Sequence, residues 1–337
     1  MVQILIIALS LVGAFALTGA VRRFAIQKSV LDIPNERSSH SVPTPRGGGV
    51  AIVIAFIGAV LLLWVLGLVP LSVMSALGLG GAGIAVLGFF DDLGHIPARW
   101  RLLGHFLAGA WVVYSLGGLA PLTFWGGAVD LGLLGSLLAV VFLVWMLNLY
   151  NFMDGIDGLA SSEAVFAGLA GGLIYFLSGQ DGLAVLCFAM AAAAGGFLCW
   201  NFPPAKIFMG DAGSGFLGIV MGAMALIAGW VLPDFFWSWI ILLGLFVVDA
   251  TVTLLRRLLR GEKVYEAHRS HAYQFASRQF GSHKKVTLAA WALNLFWLLP
   301  LALLVAFGGL NGLLGVCLAY IPLVMLVLKF RAGDIER

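Results

Sequence analysis

Long apolar runs alternate with short polar connections along this 337-residue chain, and all nineteen Lys and Arg fall where one alternating membrane topology puts them on the same side. Arg22, Arg23, Lys28, Arg37 and Arg46 follow the first run, Arg99 and Arg101 the third, and Lys206 the seventh. Eight more bases lie from Arg256 to Lys285, and Lys329, Arg331 and Arg337 close the chain. The opposite connections, near residues 67–71, 118–130, 178–181, 232–234 and 308–311, hold three Asp and no base. Bases collect on the cytoplasmic side of membrane proteins, so the polar face belongs to the cytosol. Apolar residues make up 61% and charged residues 10%, against about 45–50% and about 25% in a soluble domain, so hydrocarbon must solvate most of the surface.

A membrane span takes about 20 mainly apolar residues. Eleven runs answer to this, at 2–20, 47–69, 71–90, 103–119, 131–150, 159–178, 182–202, 213–231, 235–255, 286–307 and 310–330. The expected fold is an all-α integral membrane protein of about eleven transmembrane helices, one polytopic domain over 1–337, with a periplasmic N-terminus and a cytoplasmic C-terminus. Its cytoplasmic loops are 21–46, 91–102, 151–158, 203–212 and 256–285. The first run reads as a retained helix, because no basic residue precedes it and Arg22 and Arg23 follow it. Cys187, Cys199 and Cys317 lie apart within runs and suggest neither a disulfide framework nor a thiolate metal site. Many of the 44 glycines fit close helix contact in lipid. Topology accounts for the net charge of +3, and no nucleic-acid partner is expected.

Acids recur where a bilayer makes them costly, which implies a shared polar site. Asp91 and Asp92 end the third run; Asn148, Asn151, Asp154 and Asp157 end the fifth; Asp211 follows the seventh; His268, Arg269 and His271 follow the ninth. The series from Asn148 advances by three residues, so neighbours share adjoining helical turns and can present oxygens together. Carboxylate and amide oxygens without thiolates suit a hard cation, Mg²⁺ or Mn²⁺. Arg46, Arg99, Arg101, Lys206 and Arg269 can pair with phosphate oxygens. Asp249 is open between a site role and a structural ion pair with Arg256 or Arg257. His40, His95, His105 and His283 read as polar interfacial residues rather than ligands.

Four stretches together carry a resemblance: Asp32-Ile-Pro-Asn-Glu-Arg-Ser-Ser-His40 with Pro43-Thr-Pro-Arg-Gly-Gly-Gly49; Phe89-Phe-Asp-Asp92; Asn148-x-x-Asn151-x-x-Asp154-Gly-x-Asp157-Gly-Leu; and Asn201-x-Pro-Pro-Ala-Lys-Ile-Phe208-Met-Gly-Asp211-x-Gly-Ser. In this order they resemble the polyprenyl-phosphate N-acetylhexosamine-1-phosphate transferases. The resemblance implies an inner-membrane enzyme of bacteria that moves a sugar 1-phosphate from a UDP-N-acetylhexosamine to undecaprenyl phosphate, releasing UMP, with Mg²⁺. It implies metal ligation by Asp211 and Asn151 with Asp154 close by, and handling of the lipid phosphate by Asp91 and Asp92. It also implies a uridine pocket at Asp157, Asn201 and Phe208.

The cell-wall branch, phospho-MurNAc-pentapeptide translocase, typically carries three consecutive His in its last large loop. Here His268-Arg-Ser-His271 splits the pair, which favours the branch that initiates O-antigen and related surface polysaccharides, and within it transferases of 6-deoxyhexosamines such as FucNAc or QuiNAc. His271 is favoured for chemistry, and His268 with Arg269 for sugar or diphosphate contact. The catalytic set is thus Asp91, Asp92, Asp154 and His271, and the substrate set also includes Arg46, Asn148 and Lys206. A homodimer is open. A carrier or flippase is the reading from another class, though carriers place charge near the midplane.

Overall fold

The computed structural model describes residues 1–34, 42–94, 96–125, 127–262 and 268–334. His40 and His95, the stretch 35–41 of the first motif, and Lys263 and Arg337 lie outside the described residues. What is described is nearly all helix. The first half contains α1 (Val2–Gln27), α2 (Val50–Val65), α3 (Leu71–Gly94, with a π-helical turn at Ser75–Gly80), α4 (Ala98–Leu116) and α5 (Gly132–Met153). Then come α6 (Leu159–Leu177), α7 (Asp181–Asn201), α8 (Asp211–Val231), α9 (Pro233–Leu242), α10 (Gly244–Leu259), α11 (Ala272–Phe280), α12 (His283–Phe307) and α13 (Gly312–Lys329). Two short antiparallel hairpins pair Leu31–Asp32 with Thr44–Pro45 and Leu122–Phe124 with Gly127–Val129.

Among the described residues, eight helices are long and apolar enough to cross a membrane, or nine if α9 and α10 form one bent span. The expected count of eleven is not reached on that measure. The 16 residues of α2 are short for a span, and α4 opens with Arg99 and Arg101 in its first turn. Helix ends also move relative to the apolar runs. Helix α1 continues to Gln27, carrying Arg22 and Arg23, and α5 continues to Met153, which takes Asn151 from the expected loop onto the helix. Backbone hydrogen bonding prolongs a helix past the point where hydropathy fades.

Helix α8 is the hub, with every residue from Ala212 to Gly229 buried. It packs against α3, α5 and α9, while α1 and α6 flank α7. Helix α5 shows how the layers form. Leu143, Met146, Leu147 and Tyr150 are buried on the side of α8, whereas Leu133, Leu137 and Val141 on the opposite stripe are exposed. An apolar stripe facing inward and another facing outward is what hydrocarbon on one side and protein on the other require.

The 68° bend between α9 and α10 has a local cause. Breaking the helix frees carbonyls that hydrocarbon cannot satisfy. Tyr320 of α13 donates its hydroxyl to Ile240 O at 2.7 Å. A Cβ on Gly244 would stand 2.7 Å from the same ring, so the glycine admits Tyr320 to the break.

Candidate active site

Backbone pairing carries the loop before α2 to the start of α8. Phe208 N donates to Pro45 O at 2.8 Å, and Gly48 N and Gly49 N donate to Phe208 O and Met209 O at 2.9 Å each. This seats the Arg46 guanidinium in an ion pair with Asp92 and, at 3.4 Å, with Asp211. Asp92 accepts the amides of Asp211 at 3.1 Å and Ala212 at 3.3 Å, two donors of the first turn of α8. One turn earlier, a Cβ on Gly88 would meet the Asp211 and Ala212 backbone at 2.6 Å, so glycine lets α3 approach closely enough for this cap. Gly210 takes a positive φ of 79°, and a Cβ there would stand 2.7 Å from the Asp92 carboxylate.

From α5, Asn151 donates to Asp211 Oδ1 and Ser214 Oγ, each at 3.0 Å. Asn151 and Asp211 form a wall shared by two cavities. The larger, about 280 Å³, is also lined by Arg46, Asp154, Asp157, Asn201 and Phe208. The smaller, about 40 Å³, is also lined by Asp91, Arg101, His105 and Asn148. In the smaller one, Asp91 accepts from Arg101 at 2.6 Å and from Ile96 N at 2.7 Å. Asn148 donates to Val144 O at 2.7 Å and lies 3.4 Å from His105 Nδ1.

Around the larger cavity the turn after α5 is braced from two sides. Asn201 Oδ1 accepts from Gly158 N at 3.0 Å and Ser161 Oγ at 2.9 Å, while its Nδ2 donates to Ile207 O at 3.0 Å. Asp157 accepts from Ala205 N at 2.9 Å and lies 3.3 Å from His283 Nδ1. His283 and His105, expected as interfacial residues, both line a cavity. Asp32, Ser214 and Gln274 join them as lining residues that the sequence does not single out. Ser214 stands within the quoted Asp211 motif, three residues on, which is the signal that was available.

Four carboxylates, Asp32, Asp154, Asp157 and Asp211, face Arg46 and His283 across this cavity. Burial, and then the Asp211, Asp92 and Asp157 carboxylates, push the Asp154 carboxyl well above its ordinary range despite Arg46. Burial works against the Arg46 charge, but Asp92, Asp211, Asp32 and Asp154 outweigh it and hold the guanidinium above its ordinary value. This negative excess, with carboxylate and amide oxygens outnumbering the one His283 nitrogen and with no thiolate, fits a hard divalent cation. Among the described residues no three His, Cys, Asp or Glu converge as a closed ligand set. The fit is therefore to an ion held by one or two carboxylates with an amide oxygen and completed by phosphates. Asn151 turns its amide nitrogen toward Asp211, so its oxygen can ligate only once that amide rotates.

The loop before α11 differs from expectation. His271 is buried as the N-cap of α11, lies 3.3 Å from Asp249 Oδ1, stacks with Phe152 and lines neither cavity. Asp249 also accepts from Ala272 N and Tyr273 N at 3.0 Å, and not from Arg256 or Arg257, which pair with Asp334 and Glu262. The unpaired amides of a helix start outcompete a side-chain cation for this carboxylate. His268 packs on His271 at 4.9 Å. Arg269 lines a neighbouring basic pouch of about 590 Å³ that includes Asp157, Arg278, His283 and Lys284. Two expected phosphate binders are not brought in. Lys206 is exposed over the Trp200 ring at 5.7 Å, and Arg99 lies over Trp100 at 5.7 Å.

An apolar helical bundle thus carries a cleft that is rich in carboxylates and holds Arg46. Residues 73–229 match the profile of Glycosyl transferase family 4. The chain is 31% identical over 303 residues to a probable undecaprenyl-phosphate N-acetylglucosaminyl 1-phosphate transferase of Bacillus subtilis, covering 85% of this chain and 80% of the relative. It is 26% identical over 292 residues to the undecaprenyl-phosphate alpha-N-acetylglucosaminyl 1-phosphate transferase of Thermotoga maritima, covering 86% and 87%. It is 31% identical over 310 residues to the phospho-N-acetylmuramoyl-pentapeptide-transferase of Desulforudis audaxviator, covering 81% and 85%. The chain belongs to glycosyl transferase family 4 and is an enzyme of the glycosyl-1-phosphate transferase type.

Proposed function

We propose that this enzyme transfers an N-acetylhexosamine 1-phosphate from a UDP-sugar to undecaprenyl phosphate at the cytoplasmic face of the bacterial inner membrane, releasing UMP. The observation that carries this reading is the Asp211–Asn151 wall standing between a polar cavity large enough to take part of a nucleotide and a small one where Asp91 and Arg101 meet an apolar lining. The names of the relatives support the donor and acceptor classes. The basic residues of loops 21–46 and 256–285 support an N-terminus in the periplasm and a C-terminus in the cytosol. The split of His268 and His271 supports the surface-polysaccharide branch, O-antigen initiation with a 6-deoxyhexosamine, over the cell-wall branch.

The lipid phosphate seats against Arg101, which Asp91 holds in place. A phosphate monoester has a second pKa of about 6, so at neutral pH its oxygen attacks largely without a base. It attacks the sugar-bearing β-phosphorus in line; the bond to the UMP oxygen breaks, and UMP leaves with that electron pair. Arg46 meets the diphosphate while keeping Asp92 and Asp211 in register, and Phe208 with Asp157 borders the base. Asp211, Asn151 after its amide turns, and Asp154 would hold Mg²⁺ or Mn²⁺, which when bound neutralises diphosphate charge. Asp249 fixes His271, and His271 caps the helix that carries Gln274 to the cleft.

Purified protein with Mg²⁺, undecaprenyl phosphate and a panel of UDP-N-acetylhexosamines, including UDP-MurNAc-pentapeptide, tests the reading through UMP release. UMP formed only when lipid and one amino sugar are both present is the expected result. Release from the pentapeptide substrate alone reassigns the branch, and no lipid-dependent release with any donor overturns the function. Because one phosphoanhydride replaces another, labelled UMP should also exchange into the UDP-sugar pool.

A further inference from the structure

Six residues beyond Asp157, on α6, Glu163 is buried at 2% exposure, and it faces Asn294 of α12, buried at 1%. Asn294 Nδ2 donates to Glu163 Oε2 at 2.5 Å. The other two polar atoms of this pair, Glu163 Oε1 and Asn294 Oδ1, are buried with no hydrogen-bond partner among the described residues. An ionised carboxylate only accepts, and so does an amide oxygen, so these two atoms cannot satisfy each other as they stand. One proton on Oε1 changes that. The pair becomes a carboxylic acid facing a primary amide, with Nδ2–H donated to Oε2 and Oε1–H donated to Oδ1. The same proton removes a charge whose burial in hydrocarbon is costly.

The position of the pair gives it a use. Two contacts closer to the cleft join the same helix to the Asp157 turn: Asp157 N donates to His283 Nδ1 at 3.4 Å, and Thr287 Oγ1 donates to Asp157 O at 3.0 Å. Asn294 opens a π-helical turn, Asn294–Leu298. Such a turn inserts a residue into the helical register, and it often marks a functional site.

We propose that Glu163 carries a proton and closes a two-bond acid–amide ring with Asn294, and that this ring is the deep anchor holding α12 against the Asp157 turn. Glu163 and Asn294 are then positioning residues for the nucleotide side of the cleft, a role that rests on the reading of Asp157 given above.

Infrared difference spectroscopy of wild type against Glu163→Gln at neutral pH tests the acid directly. A protonated-carboxyl C=O band that shifts in D₂O and vanishes in the variant is expected. No such band, or a carboxylate stretch in its place, overturns the ring, and this result does not depend on any activity. Kinetics test the anchor. Asn294→Ala should raise KM for the UDP-sugar about tenfold while kcat stays within about twofold, the pattern of a displaced binding group. Glu163→Gln, whose amide can form both bonds with Asn294, should leave KM within about twofold of wild type. Should Asn294→Ala fail to fold, Asn294→Leu, which fills the space but offers Glu163 no hydrogen bond, carries the same comparison. A folded Asn294 variant that loses thermal stability with KM unchanged refutes positioning and leaves a structural pair.

Discussion

Asp211 opens α8 and Asp249, from within α10, caps the start of α11, and their surroundings make them different instruments. Asp249 is 3% exposed, and its oxygens meet Ala272 N, Tyr273 N, Thr253 Oγ1 and the His271 ring, all permanent parts of the fold. Asp211 shares one oxygen between Arg46 and Asn151 and borders a cavity where three more carboxylates gather. A carboxylate whose acceptors are filled by backbone is a joint. Where carboxylates outnumber cations around open space, the excess charge is available to a ligand.

The largest effect expected from this contrast is at Asp211. Asp211→Asn should lower turnover by roughly 10²–10³ or more, with the thermal midpoint in detergent close to wild type. Near-normal turnover would remove Asp211 from the chemistry and dissolve the contrast. Asp249→Ala should act the other way round. It strands two α11 amides at about 1–3 kcal/mol each, so the midpoint should fall and the 256–285 connection should become protease-sensitive. If turnover collapses while stability and protease resistance hold, Asp249 belongs with the cleft.

Much of the cleft was legible in the residues themselves. Arg46, Asn151, Asp154, Asp157, Asn201, Phe208 and Asp211 line one cavity; acids and amides spaced along one helix end are a local signal for Asn151, Asp154 and Asp157, whereas Asn201 and Phe208 are reached only through the family resemblance. Helix positions were legible for the same reason, since apolar runs of about 20 residues have few other uses in a chain this hydrophobic. What escaped depends on distant partners. Asp249 lies seven and eight residues before Arg256 and Arg257, an attractive pairing on paper, but the chain's last turn and Glu262 hold those arginines. Lys206 sits inside a motif and is turned outward by Trp200. His283 reads on the sequence as a polar interfacial residue, and only the packing of α12 brings it to Asp157. The break at Leu243 has no proline to announce it; Tyr320, nearly eighty residues later, makes it tolerable.

Asp154 sharpens the contrast through protons. Its carboxyl is pushed well above the ordinary range by burial and by its carboxylate neighbours, so without metal it retains a proton at pH values where a solvated aspartate has none. A divalent ion binding beside it should displace that proton. Calorimetric titration of Mg²⁺ in buffers of different ionisation enthalpy should therefore show proton release above the pH range where a solvated aspartate titrates, and Asp154→Asn should abolish it. Buffer-independent heats in the wild type would place Asp154 among the fixed joints.

The smallest effect lies on the Asp249 side of the molecule. Burial first, and then His271 and Arg257, hold the His268 ring down to about 3, whereas an unfolded histidine titrates near 6.5. Between those values the unfolded chain binds the extra proton, so His268 costs the fold stability as pH falls from about 6.5 toward about 3, and costs nothing above about 7. His268→Gln should match the wild-type thermal midpoint at pH above about 7 and exceed it by a margin that widens toward acid; because the ring is partly exposed, that margin should be modest. A difference that stays flat with pH would mean the ring is solvated. It would also reopen a charged contact to the diphosphate, which a neutral His268 leaves to Arg46 and Arg269.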